Sequence, residues 1–329
     1  MKRIITIILC FSLCLGICAC GSGENTETTD TTPTQSEEEA KVEKILIIGN
    51  SHSGDTFWLL QQVFDAHYDK DVVLGYLYYS GCTISEHLQF AKNGEAVYAY
   101  RRNYTGKENG TWDDMKDVTM DVALVDQQWD VIVYQAGSAD YRQSNFNENE
   151  RRQLEEYVDQ FVPQPHISMW NNTWTQAGAG PVFESSWPVK APSGYVDRVN
   201  KGFDPATDFS SKLELVKNHI ATDEHYEKVL TPGTAVMYAL LEMERPQTDL
   251  YRDYTHLTEF GRLIAAYAFF TQYTGQMVDE IKIDVVPARL RSSRYVNEGD
   301  LEVTQEMKDV ILKAAGYAFA HPFEMPPEK

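Results

Sequence analysis

Residues 45–53 read ILIIGNSHS, and this stretch carries the strongest structural signal in the chain. Four apolar residues closed by Gly49 are typical of a strand that is buried on both faces. After a few polar residues, a helical pattern runs from about Thr56 to Tyr68. A buried strand, a loop and a helix in this order indicate a parallel α/β fold, because crossover helices then cover both faces of the sheet.

The alternation of strands and helices continues outward from this stretch. A hairpin-like segment interrupts it once, from Val97 to Tyr104 and past a GKENG turn to Trp112. The sequence therefore predicts an α/β fold, a flavodoxin-like three-layer α/β/α sandwich with a central, mostly parallel sheet. The further predicted strands are residues 72–79, 131–134, 166–170 and 228–230, and the further predicted helices are residues 84–92, 118–127, 148–161, 211–221, 234–244 and 257–274.

The charge balance excludes one class of partner. The chain carries 29 Lys and Arg residues against 49 Asp and Glu residues, a formal net charge of -20. An acidic surface repels phosphate backbones, so we expect no nucleic-acid partner. The 8 histidines form no HExxH motif and no Cys/His cluster with metal-ligand spacing. We therefore expect no metal site, and the chemistry predicted below needs no cofactor.

Residues 1–19 predict a signal peptide. Lys2 and Arg3 precede an apolar run that is short for a membrane-spanning helix and ends in small residues. The end of this run resembles a bacterial lipobox, which implies cleavage and lipidation at Cys20. An ordinary secretory signal, or lipidation at Cys18, would be an alternative reading. The prediction is an extracytoplasmic protein held on a bacterial membrane by a lipid anchor.

The segment 20–43 predicts a flexible tether between this anchor and the rest of the chain. It is rich in Thr, Ser and Glu and has almost no large apolar residue, so burial cannot offset its conformational entropy. The working domain is then residues 44–329, with a loop insertion at about 166–205. Cys82 is the only cysteine of this domain, which excludes a disulfide within it.

Two polar motifs point to a nucleophile and its base. Ser51 follows the first strand at a strand-to-helix turn, where a hydroxyl is exposed and the backbone N–H faces developing negative charge. Asp253 and His256 share one short loop before the longest helix, and this spacing lets the carboxylate hold Nδ1–H while Nε2 faces a serine. Each motif also has a structural reading: Ser51 or Ser53 as a helix N-cap, and Asp253 as a capping residue beside a solvated histidine.

These residues resemble the SGNH (GDSL-like) hydrolase superfamily. Its Gly-Asp/Asn-Ser block after the first strand is matched by residues 49–51, and its Asp-x-x-His block by Asp253 and His256. The resemblance implies that Ser51 is the nucleophile, that His256 is the base oriented by Asp253, and that the N–H groups of Ser51 and Gly81 bind the oxyanion. It covers about residues 44–275. More narrowly, the GNSHSGDTF, WDVIVYQ and HLTEFGRLIAA segments resemble a branch known mainly as a domain of unknown function.

One block departs from the superfamily pattern. The third block usually supplies an Asn side chain to the oxyanion hole, whereas this chain reads QAGSAD at residues 135–140. Gln135 stands at the end of the 131–134 strand and carries an amide that could donate instead, with Ser138 as a weaker candidate. The alternative is that Gln135 is a polar strand-end residue bonded to neighbouring backbone. Loss of one such donor costs on the order of 3 kcal/mol in other hydrolases.

The insertion at residues 166–205 is rich in Trp, Asn, Gly and Pro. A long loop after a sheet strand is typical of segments that cover a site, and aromatic rings with amide donors suit a sugar. Trp170 and Asn171, at the end of the predicted strand, are the candidate substrate-binding residues. A small apolar cluster under a long loop is an equally good interpretation of the same composition.

The combined expectation is a cell-surface serine esterase that removes small acyl groups, such as acetyl, from carbohydrate. An acyltransferase would use the same site and differ only in whether water or a sugar hydroxyl accepts the acyl group. A noncatalytic glycan-binding lipoprotein is a third possibility, which the missing third-block Asn favours.

Overall fold

The apolar run quoted above becomes β1 (Glu43–Gly49), which lies at the centre of a seven-stranded sheet in the computed structural model. Both of its neighbours in the sheet run parallel to it. Parallel strands require crossover connections that return the chain to the end of the sheet where the preceding strand began. The structure describes residues 42–104, 113–137, 139–142, 147–162, 166–173, 204–253, 255–291 and 298–327.

The strand order is β4-β3-β2-β1-β5-β6-β7, with five parallel strands and an antiparallel pair, β3 and β4, at one edge. This arrangement confirms the predicted mostly parallel sheet. The remaining strands are β2 (Val72–Tyr78), β3 (Tyr98–Tyr104), β4 (Asp113–Val118), β5 (Val131–Tyr134), β6 (Ile167–Asn171) and β7 (Lys228–Leu230), with a separate antiparallel pair of β8 (Val285–Val286) and β9 (Leu301–Glu302).

Helices cover both faces of the sheet, which confirms the α/β/α layering. Successive residues of β1 point to opposite faces: Ile45 and Ile47 pack beneath α1, α6, α8 and α9, whereas Leu46 and Ile48 pack beneath α2, α3 and α4. The helices are α1 (Ser51–His67), α2 (Ile84–Asn93), α3 (Met120–Asp126), α4 (Glu148–Asp159), α5 (Pro205–His219), α6 (Pro232–Leu241), α7 (Gln247–Leu250), α8 (Glu259–Thr274) and α9 (Gln305–Ala320).

Helix starts differ most from the sequence-based expectations. Helix α1 begins at Ser51 rather than Thr56, because the Asn50 side chain caps it by accepting the N–H of His52. Helix α5 begins six residues before the predicted start at Ser211, since Asp204 caps it and Pro205 fits the first turn. The sequence pattern gave no prediction beyond residue 274, where α9 completes the layer over α8.

Several expectations lie outside the described residues. They concern the signal peptide, Cys20 and the tether, as well as Ser138 and most of the insertion, 174–203. In the part of the chain that the structure describes, no helix combines the length and apolar character needed to cross a membrane.

Gly75 of β2 packs closely against the Trp129 side chain on the sheet face covered by α3. A Cβ atom at this position would lie 2.5 Å from Cη2 of Trp129 and 3.0 Å from Cδ1 of Leu46. The Trp129 ring is buried, and its Nε1 donates to the Ala123 carbonyl at 2.9 Å. The ring therefore has little freedom to make room for a methyl group.

We expect Gly75→Ala to lower the free energy of unfolding by about 1–3 kcal/mol, because the added methyl overpacks a rigid ring. Gly316→Ala in α9 is the matched control, since its Cβ would meet only the mobile end of Met277 at 3.2 Å. That control should be neutral or stabilising by up to about 1 kcal/mol, from helix propensity. Urea unfolding followed by circular dichroism measures both, and equal stability of the two variants would contradict the packing argument.

Candidate active site

The turn after β1 places Ser51 at the first position of α1, where it is half-buried. Asn50 holds this turn: its Oδ1 accepts the His52 N–H at 3.1 Å, and its Nδ2 donates to the Cys82 carbonyl at 2.9 Å. Backbone N–H groups in a first helical turn have no intrahelical partner and favour negative charge. The Ser51 hydroxyl thus stands beside a position suited to an oxyanion.

Asp253 and His256 form the predicted acid–base pair. His256 Nδ1 lies 3.0 Å from Oδ1 and 2.9 Å from Oδ2 of Asp253. The same carboxylate accepts the backbone N–H groups of Thr255 at 2.9 Å and His256 at 2.7 Å. The Asp253 side chain is 11 % exposed and that of His256 is 24 % exposed, so the imidazole reaches the surface while its partner is enclosed.

The charge state of Asp253 follows from these bonds. Burial alone would raise the pKa of Asp253, but the hydrogen bond and charge of His256, with the two backbone N–H groups, lower it to about 2. The carboxylate is therefore ionised near neutral pH. An ionised carboxylate fixes the tautomer in which Nδ1 carries the proton and leaves Nε2 free to accept one.

A buried carboxylate on α1 ties this loop to the serine turn. Asp55 Oδ1 accepts Arg252 Nη1 at 2.9 Å and Arg262 Nε at 3.1 Å, and Asp55 Oδ2 accepts the Leu257 N–H at 2.9 Å. Burial alone would raise the pKa of Asp55, but the two guanidinium groups lower it below its ordinary value. The loop from Arg252 to Leu257 is thereby held on the first turns of α1.

His52 packs between the serine turn and the loop. Its ring stacks on that of His256, with centroids 5.8 Å apart and planes 18° apart, and its Nε2 lies 3.2 Å from the Thr255 hydroxyl. Burial, with a smaller contribution from the neighbouring His256, lowers the pKa of His52 to about 3. His52 is therefore a neutral packing partner of His256 rather than a base.

The structure thus brings the three predicted catalytic residues to the same end of the sheet. Ser51 directly precedes His52, the residue stacked on His256. Both Ser51 and His256 belong to the described residues, and no hydrogen bond joins them in this structure. Catalytic hydrogen bonds are commonly long or poorly aligned before substrate binds.

The predicted oxyanion donors have unequal surroundings. Gly81 is exposed and adopts a φ of 67°, a backbone conformation that favours glycine. Gln135 is buried at the end of β5, where its Oε1 accepts the Asn50 N–H at 3.0 Å and its Nε2 donates to the Ala136 carbonyl. Gln135 would have to release Ala136 before its amide could donate to an oxyanion.

The two predicted substrate-binding residues lie inside the protein. Trp170 is fully buried on the sheet face opposite α1, and its ring packs edge-on to Tyr226 with centroids 5.6 Å apart. Asn171, the next residue of β6, points to the α1 face, because side chains alternate along a strand. It is 0 % exposed, and neither its Oδ1 nor its Nδ2 has a hydrogen-bond partner among the described residues.

Asp55, Arg252 and Arg262 lie at the site but belong to none of the sequence motifs described above. A signal was present, since Asp55 stands one helical turn after Ser51 and Arg252 directly precedes Asp253. Local sequence patterns do not predict these ion pairs, because Arg252 and Arg262 are 197 and 207 residues away from Asp55. Across the described ranges, no group of three or more His, Cys, Asp or Glu side chains is placed to hold a metal ion.

Comparisons with known proteins agree with this architecture. Residues 44–294 match a family model described as a domain of unknown function, DUF4886. Among solved structures, the chain is similar to a DUF4886 family protein from Bacteroides uniformis, with a TM-score of 0.65 and 21% identity, covering 87% of this chain and 97% of that one. At this identity the similarity shows the fold alone. A search of curated proteins gave no match.

We expect Asp55→Asn to lower the free energy of unfolding by about 2–4 kcal/mol, because it removes the carboxylate shared by Arg252 and the buried Arg262 and leaves Arg262 with its longer contact to Glu259. Asp65→Asn is the matched control on the same helix: Asp65 is exposed and accepts one side-chain bond, from Gln61 at 2.8 Å. The control should change stability by less than about 0.5 kcal/mol. Urea unfolding measures both variants, and an equal, small effect would show that Asp55 does not clamp the loop.

Proposed function

We propose that this chain, which belongs to the DUF4886 family, is a serine esterase of the SGNH type acting through Ser51, His256 and Asp253. One observation supports the proposal most directly. The bonded Asp253–His256 pair is packed, through His52 and Asp55, against the helix turn that begins with Ser51. A carboxylate-oriented imidazole next to a serine at a helix N-terminus is the arrangement that acyl transfer requires.

In the proposed reaction, Ser51 Oγ attacks the ester carbonyl while His256 Nε2 takes the hydroxyl proton. Collapse of the tetrahedral intermediate breaks the bond to the leaving oxygen, which receives that proton from His256 and departs as an alcohol. Water then attacks the acyl-serine, His256 takes the water proton, and the second collapse releases the carboxylic acid and restores Ser51. Asp253 remains ionised and stabilises the imidazolium that forms in each half-reaction.

Negative charge on the carbonyl oxygen would be stabilised by the N–H groups of Ser51 and Gly81. The N-terminal end of the 17-residue helix α1 adds a favourable dipole at this position. A third donor from Gln135 requires its amide to turn away from Ala136. This chemistry needs neither a metal nor an organic cofactor.

The proposed substrate is a small acyl ester, such as an acetyl group on carbohydrate. Such an ester carries no charge, so the chain's net charge of -20 does not oppose its approach. We place the enzyme on the outer side of a bacterial membrane, anchored through Cys20 and reaching its substrate on the 20–43 tether. The apolar run and lipobox-like residues before Cys20 support this location.

A noncatalytic glycan-binding lipoprotein is the second candidate. Two observations favour it: the Gln135 amide is bonded to the backbone of Ala136, and Ser51 makes no hydrogen bond to His256. An acyltransferase would share the first half-reaction of the esterase and use a sugar hydroxyl instead of water in the second.

Covalent labelling by a fluorophosphonate probe separates the esterase from the binder. We expect labelling of the wild type and none of Ser51→Ala, because the probe reacts only with an activated serine. Ser53→Ala is the control from the same motif: Ser53 is fully buried, and labelling should persist without it. A folded wild type that resists the probe, or labelling that survives Ser51→Ala, would overturn the proposal.

Hydrolysis of p-nitrophenyl acetate tests the partner residues. We expect His256→Ala and Asp253→Ala to lower kcat by about 10³-fold or more, since each removes a member of a unit that acts together. Thermal unfolding of the same samples shows whether the variants are folded. Wild-type rates in either folded variant would exclude the assigned role of that residue.

A further inference from the structure

A buried carboxylate, Asp140, joins two of the loops that carry the proposed oxyanion donors. Asp140 is 0 % exposed and begins a single 3-10 turn, Asp140–Arg142, after β5. We propose that Asp140 is a positioning residue that sets the spacing of the oxyanion donors. This inference rests on the proposed esterase function and assigns a role to a residue that does not itself touch the substrate.

The contacts of Asp140 reach both loops. On its own side, the Gly137 N–H donates to Asp140 Oδ2 at 2.7 Å. From the other loop, which follows β2, the Ile84 N–H donates to Oδ2 at 3.1 Å and to Oδ1 at 3.2 Å. The carboxylate therefore bridges the loop that follows β5 and the loop that follows β2, and bonds from N–H to a carboxylate are among the stronger hydrogen bonds in proteins.

The same two loops touch directly through their backbones. A Cβ atom at Gly137 would lie 2.4 Å from the Cys82 carbonyl oxygen. That oxygen accepts Asn50 Nδ2 at 2.9 Å, so the turn after β1 is joined to the same point. Three loops, after β1, β2 and β5, are thus bonded to one another around Cys82.

The position of the proposed donors follows from this bonding. Ser51 directly follows Asn50, and Gly81 directly precedes Cys82, so the bonds to Asn50 and Ile84 fix where both N–H groups lie. Donors in an oxyanion hole act at about 2.7–3.1 Å, and a displacement of about 1 Å can cost on the order of 10²-fold in rate. Loss of the Asp140 bridge should therefore lower kcat more than it raises KM.

The pKa of Asp140 distinguishes a role in positioning the oxyanion donors from a role in stabilising the fold. Burial raises the pKa of Asp140 to about 7, against the lowering effect of the Ile84 and Gly137 N–H groups, and the charges of Glu86 and Glu150 raise it further. Two other groups lie nearby, the Cys82 thiol and the Tyr141 hydroxyl. Burial raises the pKa of each above its ordinary value, so both are neutral near pH 7. A carboxyl whose pKa is raised by folding contributes less to stability as the pH rises from about 4 to about 7.

Activity should depend on pH in the opposite direction from stability. Both carboxylate oxygens accept N–H groups, and a proton on either oxygen weakens one of these bonds. The loops are therefore held best when Asp140 is ionised. We therefore expect a component of kcat to rise with pH through about 7, where Asp140 loses its proton.

Asp140→Asn and Asp140→Ala test the inference as a graded pair. The Asn variant keeps one acceptor oxygen but no ionisation, so kcat should fall by about three- to tenfold. The Ala variant keeps no acceptor and should lose on the order of 10²-fold, with KM changed by less than about threefold. In Asp140→Asn, the pH profile of kcat should lack the group that titrates near pH 7.

Stability and site geometry provide the readouts that do not depend on turnover. At about pH 8, Asp140→Asn should unfold at the temperature of the wild type or above it, since the buried charge is gone. In Asp140→Ala, hydrogen exchange across residues 81–84 should become at least about tenfold faster, because the Ile84 N–H loses its acceptor. Asp65→Asn, the surface control, should leave the kinetics, pH profile and exchange unchanged.

The possible outcomes distinguish a failure of the proposed esterase function from a failure of the positioning role of Asp140. A wild type that neither reacts with the fluorophosphonate nor hydrolyses the ester contradicts the esterase and, with it, the catalytic purpose of Asp140. An active wild type whose Asp140→Ala variant keeps its kcat, pH profile and exchange rates would falsify the positioning role alone. Retained labelling at a reduced rate in Asp140→Ala, with none in Ser51→Ala, is the expected result.

Discussion

The site depends on one buried ion cluster, in which the Asp55 carboxylate of α1 accepts Arg252, Arg262 and the Leu257 N–H. These partners belong to the loop that holds His256 and to α8, so one side chain fixes α1, this loop and α8 to one another. Removing a carboxylate and two guanidinium groups from water is costly, and the attraction offsets that cost only when the partners are all in place. The cluster therefore holds the loop in one position, which is what a short-range proton transfer between Ser51 and His256 would need.

The loops that carry the proposed oxyanion donors are organised around Asn50, the residue before the proposed nucleophile. Its side-chain oxygen and nitrogen bond to His52 and Cys82, its N–H bonds to Gln135, and its carbonyl accepts the Tyr76 hydroxyl. Asn50 is completely buried, so each of these groups would be costly if left without a partner. The carboxyl ends of β1, β2 and β5 meet here because the strands are parallel and adjacent. The sheet topology brings the loops together, and Asn50 and Asp140 fix their spacing.

The sequence predicted the sheet better than the contacts between its loops. The 131–134 and 228–230 strands match β5 and β7 residue for residue. For β5 the reason is its continuous apolar run, which has few other solutions. The start of α1 was missed because residues 51–54 are weak helix formers, and only the Asn50 cap places them in a helix. The hydrogen bond between Asp253 and His256 is predictable because the two residues are three positions apart. The contacts of Asp55 and Asp140 are not, since their partners are up to 207 and 56 residues away and a lone acidic residue has no periodic pattern.

Environment, more than residue type, separates the candidate catalytic groups from their neighbours. The motif offers two serines, of which Ser53 is fully buried and Ser51 is only half-buried at the helix start. The site offers two stacked imidazoles: His52 is buried, and burial lowers its pKa to about 3, whereas His256 reaches the surface and is held by Asp253. A base must be accessible and oriented, and of the two imidazoles His256 is the one that reaches the surface and is bonded to a carboxylate. The roles proposed for Ser51 rather than Ser53, and for His256 rather than His52, therefore rest on burial and hydrogen bonding, which the linear motif alone does not reveal.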